Sequence, residues 1–292
     1  RAALIVEESP HGPALLFGAT SMAGFALAQR YPESLRPFVP PNRPGAWPAL
    51  NLEDPAWLAA LVQELEPRLL IYCHAVCNVR KCEESPDWAY DINVNHIRRL
   101  HDALPDTTRL VYVSSDHVFG DDGTYSEVSN TCPISVYGRT RVEAEALVLA
   151  RPGSLVIRSG LAIGPSYDGR SGHLDWLTYR HERNLPLTIV EDESRSTVMT
   201  HDLADRIMHL ATSNETGLRH ISAALVSRME LARFLTRQLG IDPVLNTVLR
   251  HQQPAPHMGR VELTTIHEGP LHQPLPGVLT SDLGDWNSDS LP

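Results

Sequence analysis

Across 292 residues the chain sets 35 acidic side chains against 25 lysines and arginines, for a net charge of −10 at 42% hydrophobic content. That balance argues against nucleic acid as a partner, and no apolar run approaches the roughly 18 residues of a membrane span. The length suits one large α/β domain carrying a smaller substrate-binding part.

Four cysteines make no disulfide scaffold, and the Cys73, Cys77, Cys82 spacing lacks the tight pairs of a zinc site, so no metal is expected. No basic and apolar leader opens the sequence. Reduced thiols then point to a cytoplasmic protein.

In chain order, residues 1–12 read as a poorly ordered arm, because His11-Gly12-Pro13 breaks the apolar stretch that begins at Ala2. Ala14-Leu15-Leu16-Phe17 is a short buried strand. It feeds Gly18-Ala19-Thr20-Ser21-Met22-Ala23-Gly24 and a helix over about residues 25–31, the context of a dinucleotide phosphate site. Gly18 allows the tight turn and Gly24 close helix packing, while Thr20, Ser21 and Met22 bring amides toward a pyrophosphate at the helix start. A second strand over 35–39 leads to Pro40-Pro41-Asn42-Arg43. No acid follows it to take a ribose 2′-hydroxyl, so NADP is the expected cofactor, with NAD still open. Arg43 reads either as the ligand of the 2′-phosphate or as a solvated loop arginine.

A helix over 55–65, a strand over 68–73 and a helix over 86–95 follow. The run Leu110-Val111-Tyr112-Val113 then ends in Ser114, Ser115 and Asp116, which is how a buried parallel strand delivers polar groups to a crevice. Asp116, His117 and Val118 are the candidate substrate contacts there. The next helix carries Tyr137 and, four residues on, Arg141, on one face. A hydroxyl at Ser115 beside this phenol–cation pair suits proton transfer to a carbonyl oxygen. The alternative for Arg141 is an ion pair with Glu145, one turn further on.

A strand over 155–159 completes an alternation of strands and helices that predicts an α/β fold, a doubly wound parallel sheet of the Rossmann type over residues 13–160. Residues 161–275 form mainly a smaller substrate-binding subdomain. Within it, residues 173–183 and 228–239 read as helices, the second being core or subunit interface. Arg195 is a ligand for a phosphate or carboxylate, or a partner of its acidic neighbours. From 276 to 292 a poorly ordered tail is expected.

Ser-Ser-Asp-x-Val-Phe at 114–119, followed by Tyr137-Gly138-x-Thr140-Arg141-x-x-x-Glu145, resembles the extended short-chain dehydrogenase/reductases. Within them the chain is similar to the dTDP-4-dehydrorhamnose reductase branch, which also holds the regulatory beta subunit of methionine adenosyltransferase. The superfamily motif is Tyr-x-x-x-Lys, so Arg141 stands in the lysine's place, and Ser21 stands at the middle glycine of Gly-x-x-Gly-x-x-Gly. The resemblance implies Tyr137 as general acid, Ser115 as its hydroxyl partner and Arg141 as the cation that lowers the phenol's pKa and binds the nicotinamide ribose. It further implies cofactor contacts at Asn51 and Leu52 toward the adenine and along Cys73, His74 and Ala75 beside the ribose. Asn95 would brace the active-site backbone from behind. The implied protein is a homodimeric NADP-dependent oxidoreductase acting on a carbonyl or secondary alcohol of a nucleotide sugar or similar small polar metabolite. A non-catalytic nucleotide-binding subunit and a nucleotide-sugar epimerase or dehydratase are the alternatives.

Overall fold

The computed structural model describes residues 12–43 and 45–281; the arm expected before residue 12 and most of the expected tail lie outside the described residues. The chain runs β1 (Ala14–Phe17), α1 (Met22–Arg30), β2 (Leu35–Phe38), α2 (Pro55–Leu65), β3 (Leu69–Tyr72), α3 (Val79–Glu84), α4 (Pro86–Tyr90), a π-helical turn (Asp91–Asn95), α5 (His96–Ala103) and β4 (Arg109–Ser115). It continues through β5 (Gly123–Tyr125), α6 (Val136–Leu149), β6 (Leu155–Ser159), β7 (Leu161–Ile163), α7 (Gly172–Glu182), β8 (Leu187–Val190), β9 (Ser194–Met199) and α8 (Thr200–Ala211). Then come β10 (Gly217–His220), β11 (Leu225–Ser227), α9 (Arg228–Leu239), β12 (Leu245–Val248) and β13 (Arg260–Leu263).

Six strands form a parallel sheet in the order β10-β6-β4-β3-β1-β2. Side chains alternate faces along each strand, and the apolar residues divide accordingly. Leu16, Ile71, Val111 and Ile157 pack with α1 and α8 on one face, whereas Leu15, Phe17, Leu70, Tyr112 and Val156 pack with α2, α5 and α6 on the other. Covered on both faces, β1 and β3 are buried along their whole length, as parallel strands in such sheets are. Strand order reverses at β1, which has β2 on one side and β3 on the other, and that opens a crevice at their C-terminal ends. Pro37 is tolerated in β2 because that strand is an edge.

A second sheet, β11-β9-β13-β5 with β7 against β9, lies beyond the ends of β4 and β6. The expected division at residue 160 is crossed in both directions. β5 comes forward into the second sheet, and β10 returns to the edge of the central one. A parallel edge strand needs a crossover, which α8 supplies, so the chain comes back after residue 199. The tail expected to be poorly ordered from 276 is fixed as far as 281: Val278 is fully buried among Ile163, Leu177, Met199 and Leu235. Among the described residues no helix is long and apolar enough to cross a membrane.

Two helices depart from expectation. α1 starts at Met22, three residues earlier than the sequence suggests, because the Ser21 hydroxyl accepts from the Gly24 amide at 3.0 Å and caps it. The helix expected over 86–95 instead passes through the π turn and runs on to Ala103. A π turn adds a residue to the helix and redirects the side chains around it, and this one carries a site residue.

Candidate functional site

Gly18 opens the crevice with φ +93°, and a Cβ there would collide with the backbone of Cys73 and His74. Its amide and that of Ala19 both donate to the Phe38 carbonyl at 3.0 Å, which locks the turn to the end of β2. A Cβ on Gly24 would strike the Gly18 carbonyl, so α1 lies flush on the turn. Gly18 therefore meets Cys73 and His74, and the turn that carries Thr20, Ser21 and Met22 runs from there to Gly24 at the start of α1, with Ala75 next along the chain after His74. Ser21 adds nothing bulky there, since its hydroxyl is turned back to the Gly18 carbonyl at 2.9 Å and to the helix cap. His74 is buried and stacks on His96 with ring centres 5.6 Å apart. Burial, then the neighbouring His96 and Arg141, lowers its pKa to about 3, which keeps the ring neutral.

After β2 the chain returns through a bridge between Val39 and Ala49 to Asn51 and Leu52, expected toward the adenine, the first exposed and the second buried. Arg43 reaches across the crevice mouth to Asp168 at 3.5 Å. Trp47 lies against Tyr167, ring centres 6.1 Å apart, so the two loops meet there. Below Leu52, Glu53, Asp91 and His96 bring ligand atoms within 4.8 Å of one another. Arg99 lies 3.2 Å from Glu53 and 3.9 Å from Asp91 and supplies the positive charge in that cluster.

The brace expected from Asn95 is made by Asn93. Asn93 is 2% exposed; its side-chain oxygen accepts from the Val76 amide at 2.9 Å, and its amide donates to the Val76 carbonyl and to the Thr140 hydroxyl, each at 3.0 Å. Asn95 instead contacts Asp91 and Arg98 on the outer side of the helix. The π turn aims residue 93 inward, and a regular helical reading could not place it.

On α6 the first turn is set by Ser135, whose hydroxyl accepts from the Gly138 amide at 2.9 Å, and by Glu83, which accepts from the Val136 amide at 2.7 Å. A Cβ at Gly138 would hit the His117 carbonyl, so glycine is what lets the helix begin close to the end of β4. Tyr137 is buried there with Ser115 and Arg141 around it. Arg141 Nε donates to the Tyr137 hydroxyl at 3.0 Å, and Nη1 donates to the Tyr112 hydroxyl at 2.7 Å and to the Val113 carbonyl at 3.4 Å. Burial raises the Tyr137 pKa above its usual value, opposed by the charge and hydrogen bond of Arg141 and by a hydrogen bond with Ser115. The group is thus a neutral phenol at neutral pH, with a proton to give. His117 stands edge-on to the Tyr137 ring at 5.0 Å, and burial, then Arg195 and Arg141, holds its imidazole neutral.

The alternative pairing of Arg141 with Glu145 does not form. Glu145 is turned to Arg158 of β6, with nitrogens at 2.8 and 2.7 Å and both side chains buried. Asp116 and Val118, expected to touch substrate, are fully buried. Val118 packs with Phe119, Met258 and Val261. Asp116 receives two bonds from Arg195, at 3.0 and 2.5 Å, so Arg195 is paired across the fold and not with its sequence neighbours. Burial pushes the Asp116 carboxyl up, against the pull of Arg195. Sequence reasoning passed over Tyr112 and Asn93. The available signal was a phenol or an amide inside an otherwise apolar run, since such groups are buried only with a partner.

Comparison with known proteins places relatives around this geometry. The family described as RmlD substrate binding domain matches residues 13–262. A probable dTDP-4,6-dihydroxy-2-methyloxan-3-one 4-ketoreductase of Streptomyces antibioticus is 31% identical over 238 residues, which is 78% of this chain and 78% of the relative. Methionine adenosyltransferase 2 subunit beta of Xenopus tropicalis is 34% identical over 163 residues, 53% of this chain and 48% of the relative. Among solved structures, dTDP-4-dehydrorhamnose reductase of Bacillus anthracis in complex with NADP aligns with TM-score 0.78 at 22% identity, covering 91% of this chain and 95% of that one.

Proposed function

The chain belongs to the RmlD substrate-binding-domain family, and from that premise we propose that it is an NADPH-dependent reductase of a keto group on a nucleotide sugar, with Tyr137 as the general acid. The observation that carries the reading is the Tyr137 hydroxyl, neutral and held by Arg141, beside the strand-end hydroxyl of Ser115.

The crevice suits a dinucleotide: with no Cβ at Gly18 or Gly24 the turn packs flush on the chain after β3 and α1 flush on the turn, and a helix N-terminus faces the opening. Held at the turn over residues 18–24, a reduced nicotinamide cofactor would supply the hydride that the carbonyl carbon receives. Tyr137 donates its phenolic proton to the carbonyl oxygen as that oxygen gains charge, giving the alcohol. Ser115 hydrogen-bonds the same oxygen and orients it. Arg141 stabilises the phenolate left behind by charge and by its Nε–H. Arg43 would take a 2′-phosphate in this reading, at the expense of its exposed contact with Asp168.

The test is oxidation of NADPH with dTDP-4-keto-6-deoxy-D-glucose and related keto-sugar nucleotides, followed by identification of the reduced sugar. Tyr137→Phe should abolish turnover and leave NADPH affinity nearly unchanged. Cofactor binding without turnover of any substrate in the panel would favour the second reading, a nucleotide-binding regulatory subunit, which the similarity to the methionine adenosyltransferase beta subunit supports.

A further inference from the structure

A buried guanidinium must satisfy up to five N–H donors in one rigid plane. Arg141 is 7% exposed, and among the described residues no carboxylate bonds it, because Glu145, one turn on along the helix, is committed to Arg158 and Glu143 is exposed. Its acceptors are the hydroxyls of Tyr137 and Tyr112 and the Val113 carbonyl. A single bond to Tyr137 would leave the plane free to turn about it. The second fixed point is the Tyr112 hydroxyl, bonded at 2.7 Å to Nη1, on a strand in the middle of the sheet. The Tyr112 ring is itself immobilised, 1% exposed and stacked on Tyr72 with centres 5.9 Å apart. The guanidinium carbon lies 5.5 Å from the Tyr112 ring centre and 5.3 Å from that of Tyr137, so the cation is held between the two phenols.

We infer that Tyr112 is a positioning residue for the reaction, fixing the Arg141 guanidinium so that its Nε–H is directed at the Tyr137 oxygen. A lysine, with three donors on a rotatable stem, needs no such second anchor to reach a phenol one turn away. Arginine at 141 and a phenol at 112 therefore act as a pair. Tyr72 supplies the internal control. It lies on the neighbouring strand and is equally buried, but its hydroxyl has no hydrogen-bond partner among the described residues.

The inference rests on the reading of Tyr137 as the acid, and the test separates the two. The charged and titratable groups facing Tyr137 are Arg141 on its own helix, Tyr112 on β4, His117 after β4, Cys77 after β3 and Arg195 on β9; Tyr112→Phe removes only the second, a phenol that burial also keeps neutral at neutral pH. Ionisation of Tyr137 is followed by ultraviolet difference titration, subtracting the matching Tyr137→Phe protein in each background. The rate of NADPH-dependent reduction of dTDP-4-keto-6-deoxy-D-glucose is followed against pH in parallel. Tyr112→Phe should raise the Tyr137 midpoint by about one pH unit and lower kcat about tenfold with KM for the sugar little changed, the size expected for loosening one bond to a charged group. Tyr72→Phe should do neither. In an Arg141→Lys background, Tyr112→Phe should add nothing. An unmoved midpoint in Tyr112→Phe, or an equal shift with arginine and with lysine at 141, would overturn the inference. Absence of turnover in every variant would count against the reductase reading, while the titration still decides the role of Tyr112.

Discussion

At position 141 the difference between arginine and lysine is one of shape as much as of charge, and the surroundings are built for the larger group. With Glu145 turned to Arg158, no carboxylate draws Arg141 away from the two phenols it bonds. Arg141→Met removes what holds the Tyr137 pKa down, so the pH at which the phenol loses its proton rises. The proton donor then survives to higher pH, and the alkaline limb of the pH–rate profile moves upward. The rate itself should fall about a hundredfold or more, whereas Arg141→Lys should retain much of it; pH–rate profiles of the three proteins check both statements. An unchanged rate and profile in Arg141→Met would remove the arginine from the chemistry. Arg43 is a second residue-scale case. Its contact with Asp168 is long and half exposed and contributes little by itself. Arg43→Glu should weaken NADPH by about 1–2 kcal/mol and leave NADH affinity nearly unchanged, measured by fluorescence titration. Equal losses for both cofactors would mean that Arg43 does not meet the 2′-phosphate.

Among the elements, the start of α1 and the π turn each depend on one polar side chain. Ser21 takes the Gly24 amide, a helix-start donor that otherwise has no partner within the helix. Ser21→Ala should cost about 1 kcal/mol, and Ser21→Gly only a few tenths, read from denaturant midpoints. Similar losses for the two would show that the hydroxyl is not acting as a cap. The π turn aims Asn93 at Val76 and Thr140, and so ties the segment after β3 to the helix that carries Tyr137. Asn93→Ala leaves those buried groups unpaired and should cost about 1–3 kcal/mol. Asn95→Ala, on the outer face, should stay within about 0.5 kcal/mol. Equilibrium unfolding of the two variants side by side distinguishes the inward asparagine from the outward one.

At the scale of the whole molecule, the central and second sheets are joined by the bidentate pair of Asp116, after β4, with Arg195 on β9. Both side chains are buried, so removing one partner strands a charge in the interior. Asp116→Asn should destabilise the protein by about 3 kcal/mol or more, seen as a lowered denaturant midpoint. Adding Arg195→Met should recover part of that loss, because the stranded charge is gone. A double variant no better than the single one would show that the pair matters for its shape and not for its charge balance. Elsewhere the lobes meet by backbone: a Cβ at Gly160 would run into the Ser196 carbonyl, which leaves room for no side chain at that joint.

Much of the architecture was legible in the sequence by itself. The apolar runs of β1, β3, β4 and β6, the glycine turn after β1 and the Tyr137–Arg141 spacing are local patterns, and local sterics with hydrophobic burial suffice to interpret them. Tyr137 and Ser115 came from a motif short enough to be read along the chain. What only the tertiary structure decided were the pairings of the charged and polar groups. Arg195 found Asp116, 79 positions away, and Glu145 found Arg158 in preference to the arginine one turn from it. Asn93 displaced Asn95 through a helical irregularity that has no sequence period. A buried charge or amide must be satisfied by whichever partner the packed fold brings within about 3 Å, and that choice depends on how sheets and helices meet, which spacing along the chain does not encode.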